Sequence, residues 1–411
     1  MEVLYPRCAG LDVHRDSVVA CCRVMIESRV TMEVRTFGAM TGELLALSEW
    51  LSEHDVTHVA MEATGVYWVP VWRVLDGNFE LVLANASHVK NVPGRKTDVN
   101  DATWLSELLA HGLIRGSFVP PTPVQDLRAL TRTRKQLVRE RASHVQRIDK
   151  TLQQANLKLG SVLADIMGTS GRSILDAIVA GETDPQKLVV HVSKRVKASR
   201  EQIVEALRGN ITASHCFLLK LHLRQADALQ SAIDDVDREV GERLEPFRVG
   251  AERLKQIPGV SDVVAAAIVS EIGADMSRFP TVGHLISWAG LCPRSDESAG
   301  KRRSRRLRHG APWLKTLLVQ SAWCATRANR TYLQSQFLRL KPRRGAKKAI
   351  MAVAASILTA VYFMLKNGTD YVDLGADHYI KNDRVKIAKR LLKRLGDLDF
   401  DVRDVRDRQA A

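Results

Sequence analysis

The stretch CAGLDVHRDSVVACCRV, residues 8–24, decides the fold. It reads as two apolar runs, CAGLDVH at 8–14 and SVVACCRV at 17–24, parted by a polar turn. Short runs of this kind, bounded by turn residues, predict strands. One residue does not suit a purely structural strand. Asp12 sits inside the first run, where a carboxylate is costly to bury unless it is paired or metal-bound.

The pattern continues outward. VTMEVRTF (30–37) alternates well enough for a third strand, and GELLALSEWLSEH reads as a helix with Leu and Trp on one side. VTHVAME (56–62) is a fourth strand and ends on Glu62. YWVPVWRVLDGN reads as a short helix or turn, and FELVLANA (79–86) as a fifth strand. A Pro-Gly turn at 93–94 precedes a helix from about 98 to 112. Three antiparallel strands followed by alternating helices and strands predict a mixed α/β sheet with helical layers, the layout of the ribonuclease H-like fold. No Gly-x-Gly-x-x-Gly follows a strand, which excludes a dinucleotide fold.

Asp98 and Asp101 open that last helix three residues apart, so a helix presents them on one face. With Asp12 and Glu62 they supply four carboxylates from three elements. Hard oxygen donors in such a set suit Mg²⁺, and two ions about 3.5–4 Å apart clamp a phosphodiester for in-line attack. Each acid alone also has an ordinary reading. Asp12 would cap a turn, Glu62 would start a helix, and Asp98 would cap or charge a helix N-terminus.

The second part of the chain is helical. PPTPVQD (120–126) breaks the pattern, and from Leu127 to about Leu159 an apolar stripe runs beside basic residues that include Arg128, Arg132, Arg134 and Lys135, which are expected to contact nucleic acid. A second long helix is predicted over 215–245 with near-heptad Leu, Ile and Val. Two such helices either pack as an antiparallel hairpin or supply a dimer coiled coil. LKQIPGVSDVVAAAIVSEIG (254–273) reads as a helical hairpin about Pro258-Gly259. That turn either aims backbone amides at a phosphate or is a tight helix connection. The apolar run AIMAVAASILTAVYFML (349–365) is at the short edge of membrane-spanning length and is expected to be a buried helix. After Asp370 the tail mixes acid and base around VKIAKRLLKRL (385–395).

A net charge of +15 implies a polyanionic partner, nucleic acid above all. The six cysteines form no Cys-x-x-Cys pair and are expected to be reduced, mostly buried thiols. The densest charge lies in WAGLCPRSDESAGKRRSRRLRHG (288–310), where Lys301, Arg302, Arg303, Arg305, Arg306 and Arg308 put six basic residues in eight positions. This run is read as a nucleic-acid backbone contact. Ser295 and Ser298 within it are candidate nucleophiles, although spacing alone does not single out a serine.

Taken together, GLDVH (10–14), MEATGVYW (61–68), LVLANASHVKNVPGRKTDVNDATWL (81–105), IPGVSDVVAAAIVSEIG (257–273), RFPTVGHLISWAGLCPRSDESAG (278–300) and GAPWLKTLLVQSA (310–322) resemble the insertion-sequence one-ten family of transposases. Related site-specific invertases share much of this set. The resemblance implies a ribonuclease H-like N-terminal domain at 1–120, a helical coiled-coil region at 121–248, a C-terminal transposase domain at 249–370 and a charged helical tail at 371–411. It further implies Mg²⁺ at Asp12, Glu62, Asp98 and Asp101, in a one- or two-metal arrangement. Ser298 would be the nucleophile that joins covalently to DNA phosphate. Lys96, beside the Asp98 and Asp101 pair in sequence, is read independently of the resemblance as easing the approach of a phosphate. The implied partners are donor and target DNA and a structured guide RNA. A homodimer or homotetramer is implied, working in the cytoplasm at the nucleoid and without a membrane. The sequence departs from the family in one place, where Ala299 intervenes between Ser298 and Gly300. Ser295 therefore stays as a lesser candidate. The alternatives are a metal-only junction nuclease with water as nucleophile, or a non-catalytic nucleic-acid-binding protein.

Overall fold

The computed structural model describes residues 2–27, 29–63, 65–85, 89, 100–293, 296–298, 301–304, 306–307, 310–379 and 384–398. The chain divides into two compact units, Met1–Val119 and Pro120–Ala411.

The first unit is built on five strands, β1 (Arg7–Val13), β2 (Ser17–Ile26), β3 (Arg29–Gly38), β4 (His58–Glu62) and β5 (Glu80–Ala84). Helix α1 (Thr41–Glu53) precedes β4, and α2 (Trp68–Leu75) links β4 to β5. The sheet order is β3-β2-β1-β4-β5. Short turns make β1, β2 and β3 antiparallel, while the helical crossovers bring β4 and β5 in parallel beside β1. The mixed sheet expected from the sequence is present, with boundaries shifted by one or two residues at most strands.

Alternation along β1 sorts its residues to two faces. Ala9, Leu11 and Val13 join Val59 and Met61 in the core under α1 and α2. Cys8, Gly10 and Asp12 face the other side, where α3 (Asp101–Ala110) lies. A Cβ on Gly10 would fall 2.1 Å from the Ala102 oxygen and 2.4 Å from the Ser106 nitrogen. Only glycine lets this helix rest directly on the strand. The Cys8 thiol reaches the Ser106 carbonyl, and the Leu4 amide donates to the Ala110 carbonyl at 2.8 Å. Helix α3 thus runs antiparallel to β1, with its N-terminus over the C-terminal end of the strand.

In the second unit two long helices, α4 (Thr122–Gln154) and α9 (Ala213–Arg243), pack antiparallel. Arg134 pairs with Asp237 near one end, and His144 meets His222 towards the other. Of the two arrangements open in the sequence, these helices adopt the hairpin within one chain. Between them α5 (Leu159–Val162), α6 (Thr169–Val179), α7 (Pro185–Leu188) and α8 (Arg200–Ala206) close a small core on the hairpin tip, with Ile148, Leu152, Ile174 and Leu219 fully or nearly fully buried.

The remainder is α10 (Arg248–Leu254), α11 (Asp262–Ile272), α12 (Val282–Trp288), a two-stranded hairpin of β6 (Asp296–Ser298) and β7 (Lys301–Ser304), then α13 (Pro312–Ala325), α14 (Tyr332–Arg344), α15 (Ala346–Asn367) and α16 (Arg384–Gly396). The Pro258-Gly259 turn backs onto α13, where a Gly259 Cβ would fall 2.3 Å from the Ser321 oxygen. It therefore serves as a tight helix connection. The apolar 349–365 run lies in α15, and Ile350, Val353, Ile357, Leu358 and Val361 are buried in this unit. Among the described residues α15 alone is long and apolar enough to cross a membrane. The Tyr362 hydroxyl at its core donates to the Phe279 carbonyl at 3.1 Å. Cys8, Cys21 and Cys22 are buried free thiols, as expected, whereas Cys324 is exposed.

Candidate active site

Strands β1 and β4 pair with a constant offset, from Cys8 with His58 to Leu11 with Met61. One further step of that register sets Asp12 level with Glu62. Partners in a parallel ladder point to the same face, so both acids lie on the α3 side at the C-terminal end of their strands. Asp101 is the first residue of α3, and the helix N-terminus sits over this same end. Three of the four predicted acids therefore share one corner of the sheet. In an open sheet this is where loops and helix starts gather functional groups.

The local chemistry favours negative charge at this corner. Helix N-termini carry partial positive charge. Asn100, not Asp98, is the cap of α3, its side-chain oxygen accepting from the Ala102 amide at 2.9 Å. The helix expected from about 98 thus begins at Asp101. The Asp12 carboxylate is partly exposed and lies 3.1 Å from His14 Nε2. As donors, these carboxylates suit a hard cation such as Mg²⁺. Among the described residues, no three His, Cys, Asp or Glu side chains are close enough together to hold a metal ion. Asp98, like Lys96, Ser295, Arg305 and Arg308, lies outside the described residues.

In the second unit, Ser298 ends β6 and is in register with Lys301 of β7, while Glu297 pairs with Arg302. Arg303 follows on β7, and Arg306 is exposed. The base of this loop is pinned. Pro293 bridges to Leu307, the Ala311 amide donates to the Trp288 carbonyl at 3.0 Å, and a Cβ on Gly310 would fall 2.3 Å from the Gly290 nitrogen. With φ at +58°, Gly310 occupies left-handed backbone as well as a backbone-to-backbone contact.

The basic residues of α4 divide into two sets. Arg132 grips the buried Glu271 carboxylate with two hydrogen bonds, at 2.8 and 2.9 Å. Arg128 donates to the Ser270 and Glu271 carbonyls, and burial pulls its guanidinium down to about 10. Arg134 is paired with Asp237. These three arginines spend their charge inside the unit, where they tie α4 to α11 and α9. Lys135 and Arg139 are placed differently. With Arg132 they surround Trp313, their cationic groups 5.4, 5.6 and 5.5 Å from its ring centre. Arg132 and Lys135 are among the residues expected from the sequence to contact nucleic acid, whereas the grouping of them with Arg139 about Trp313 was not legible there. Its basic members share a helix face by spacing, but their aromatic partner is far along the chain.

Residues 9–157 match the family model for DEDD transposases of IS110, described as a transposase. Residues 251–337 match a second model, described as Transposase IS116/IS110/IS902 family. The chain is 25% identical over 320 residues to the transposase for insertion sequence element IS1111A of Coxiella burnetii, covering 76% of this chain and 79% of that protein. It is 33% identical over 122 residues to the insertion element IS110 uncharacterized 43.6 kDa protein of Streptomyces coelicolor, covering 29% of each. A putative transposase, y4rJ, of Sinorhizobium fredii is 25% identical over 257 residues, 61% of this chain and 60% of that protein.

Proposed function

The chain belongs to the IS116/IS110/IS902 family of transposases, which are DNA-recombining enzymes, and on that premise we propose that it cuts and rejoins DNA through a carboxylate site in its first unit and a serine in its second. The observation that carries this reading is the gathering of Asp12, Glu62 and the Asp101 helix start at one corner of a sheet. A corner so placed, on a mixed five-stranded sheet, is suited to a phosphodiester.

Asp12, Glu62, Asp98 and Asp101 would hold Mg²⁺, which when bound supplies positive charge against the phosphate oxygens and offsets the repulsion among the acids. The protein groups do the rest. The Asp101 helix start fixes one carboxylate relative to the strand pair. Ser298 Oγ attacks phosphorus and gives up its proton. The bond from phosphorus to the 3′ oxygen breaks, and that oxygen leaves as a 3′-hydroxyl. The product is a phosphoserine joined to the 5′ side of the DNA, so the bond energy is kept for rejoining. Lys301, Arg302, Arg303, Arg305, Arg306 and Arg308 steer the backbone and hold the charge that builds on phosphorus. Lys96 assists the phosphate on the carboxylate side. A structured guide RNA selects donor and target DNA, and the working form is a dimer or tetramer.

The test mixes the protein with RNA transcribed from the flanking non-coding stretch, Mg²⁺ and labelled DNA. A protein–DNA adduct mapping to Ser298 is expected. Ser298→Ala should form none, and Asp101→Asn should abolish cleavage while folding and DNA binding persist. A Ser298→Ala protein that still cuts, leaving a clean 5′-phosphate, would show water to be the nucleophile instead.

A further inference from the structure

A cavity of about 590 Å³ opens in the second unit between α4, α9, α11 and α13. Its walls are apolar, with Val138, Val240, Val263 and Leu317 among them. Its charged rim is settled by ion pairs with two exceptions. Arg134 pairs with Asp237, Arg248 with Glu245, and Lys255 with both Glu252 and Asp262. Lys135 and Arg139 line the same cavity, yet among the described residues neither has a carboxylate within ion-pair distance. What each has is the face of Trp313, one turn before Leu317 on α13.

We infer that this cavity takes an unpaired nucleotide of the bound nucleic acid, its phosphate on Lys135 and Arg139 beside Trp313 and its base in the apolar chamber. Three features agree on this ligand. The volume lies within the range of small-molecule sites, about 300–1,000 Å³. Two adjacent cations that, among the described residues, make no direct ion pair complement a phosphodiester. A tryptophan held against the two cations that line an apolar chamber is the combination that single-strand binders use, pairing aromatic contact with backbone charge. Burial and the nearby Arg139 disfavour the charge on Lys135 by more than Glu271 favours it, so an arriving phosphate offsets that cost. The position also suits the reaction. Trp313 follows the clamped base of the serine loop by three residues, so a nucleotide held here lies close to the strand that the loop handles. The inference rests on the transposase reading for the class of ligand.

The experiment uses full-length protein carrying Ser298→Ala, so that binding is read without chemistry. Fluorescein-labelled single strands of DNA and of RNA, each with and without one abasic position, are titrated by anisotropy over a range of salt. The expected result is about tenfold tighter binding of the intact strand than of the abasic one, in whichever arm, DNA or RNA, supplies the nucleotide. Lys135→Ala with Arg139→Ala should lower the salt slope by roughly 1.4, at about 0.7 per phosphate contact on a single strand. Val263→Trp, which fills the mouth from an exposed position, should erase the preference for the intact strand while leaving the salt slope alone. Equal binding of intact and abasic strands by the unfilled protein, or an unchanged salt slope in the exposed Arg139→Ala variant, would overturn the inference. Failure of the serine adduct in the earlier test would not, because none of these readings uses the nucleophile.

Discussion

Replacing Gly10 with alanine tests whether the carboxylate corner is set by backbone contact. The new Cβ would stand 2.1 Å from the Ala102 oxygen, 2.4 Å from the Ser106 nitrogen and 2.9 Å from the Leu105 Cβ. Ordinary contact begins near 3.4 Å, so the Ala102 oxygen alone is short by about 1.3 Å. Two of the three obstacles are backbone and cannot rotate away. Helix α3 must retreat from β1, at an overpacking cost of about 1–3 kcal/mol. For a unit of this size that lowers the melting temperature by roughly 5–15 °C. The retreat also carries Asp101 away from Asp12 and Glu62, and a displacement of about 1 Å at reacting groups costs on the order of 100-fold in rate. Thermal melts followed by circular dichroism, hydrogen exchange across β1 and α3, and strand cleavage under the conditions of the proposed adduct test together read all three effects. If Gly10→Ala melts and exchanges like the wild type, α3 does not rest on the strand. If it is destabilised but cleaves at full rate, the corner is not the catalytic one.

Three further outcomes follow from the second unit and the cysteines. Glu271→Gln removes the charge that Arg132 grips and Arg128 borders, leaving buried cations unmatched; a loss of about 3–5 kcal/mol is expected from the urea midpoint of the second unit. His222 has its pKa held below the usual histidine value by burial, then by His144 and Arg147. A base with a depressed folded pKa stabilises the protein above its unfolded pKa of about 6.5, and this is lost as pH falls below that value. The α4–α9 hairpin should therefore unfold at lower urea at pH 5.5 than at pH 7, and His222→Phe should flatten the dependence. Burial pushes the Cys8 and Cys22 thiols up to about 12, so brief alkylation of native protein at pH 8 should label the exposed Cys324 and spare both, as read by peptide mass.

Much of the first unit was legible because its signals are local. The run CAGLDVH is short and apolar, VTMEVRTF alternates, the strands are joined by short turns, and the helix over 42–54 shows its apolar face within a few turns. Even the suspicion about Asp12 was local, a carboxylate where a strand wants an apolar residue. The start of α3 was misplaced because Asp98 and Asn100 both resemble caps, and the choice depends on which side chain reaches the Ala102 amide. The α4 basic row was only half legible. Arg128, Arg132, Arg134 and Lys135 look alike in sequence, but Glu271 and Asp237, which claim three of them, stand over a hundred residues away. What separates Lys135 and Arg139 from the rest is that, among the described residues, neither makes a direct ion pair, a property no spacing rule reports. The choice between hairpin and coiled coil was likewise tertiary, since the same apolar stripe serves either.

The pinned base of the serine loop bears on how such enzymes diversify. Where Gly310 meets Gly290 and Pro293 bridges Leu307, the two stems are fixed to each other before the loop begins. Adding residues between fixed ends costs only loop-closure entropy, about 0.6 kcal/mol for each doubling of length. Helices α12 and α13 do not register the change. The segment between them can then lengthen, shorten or alter its charges as a replaceable cassette on a fixed mount.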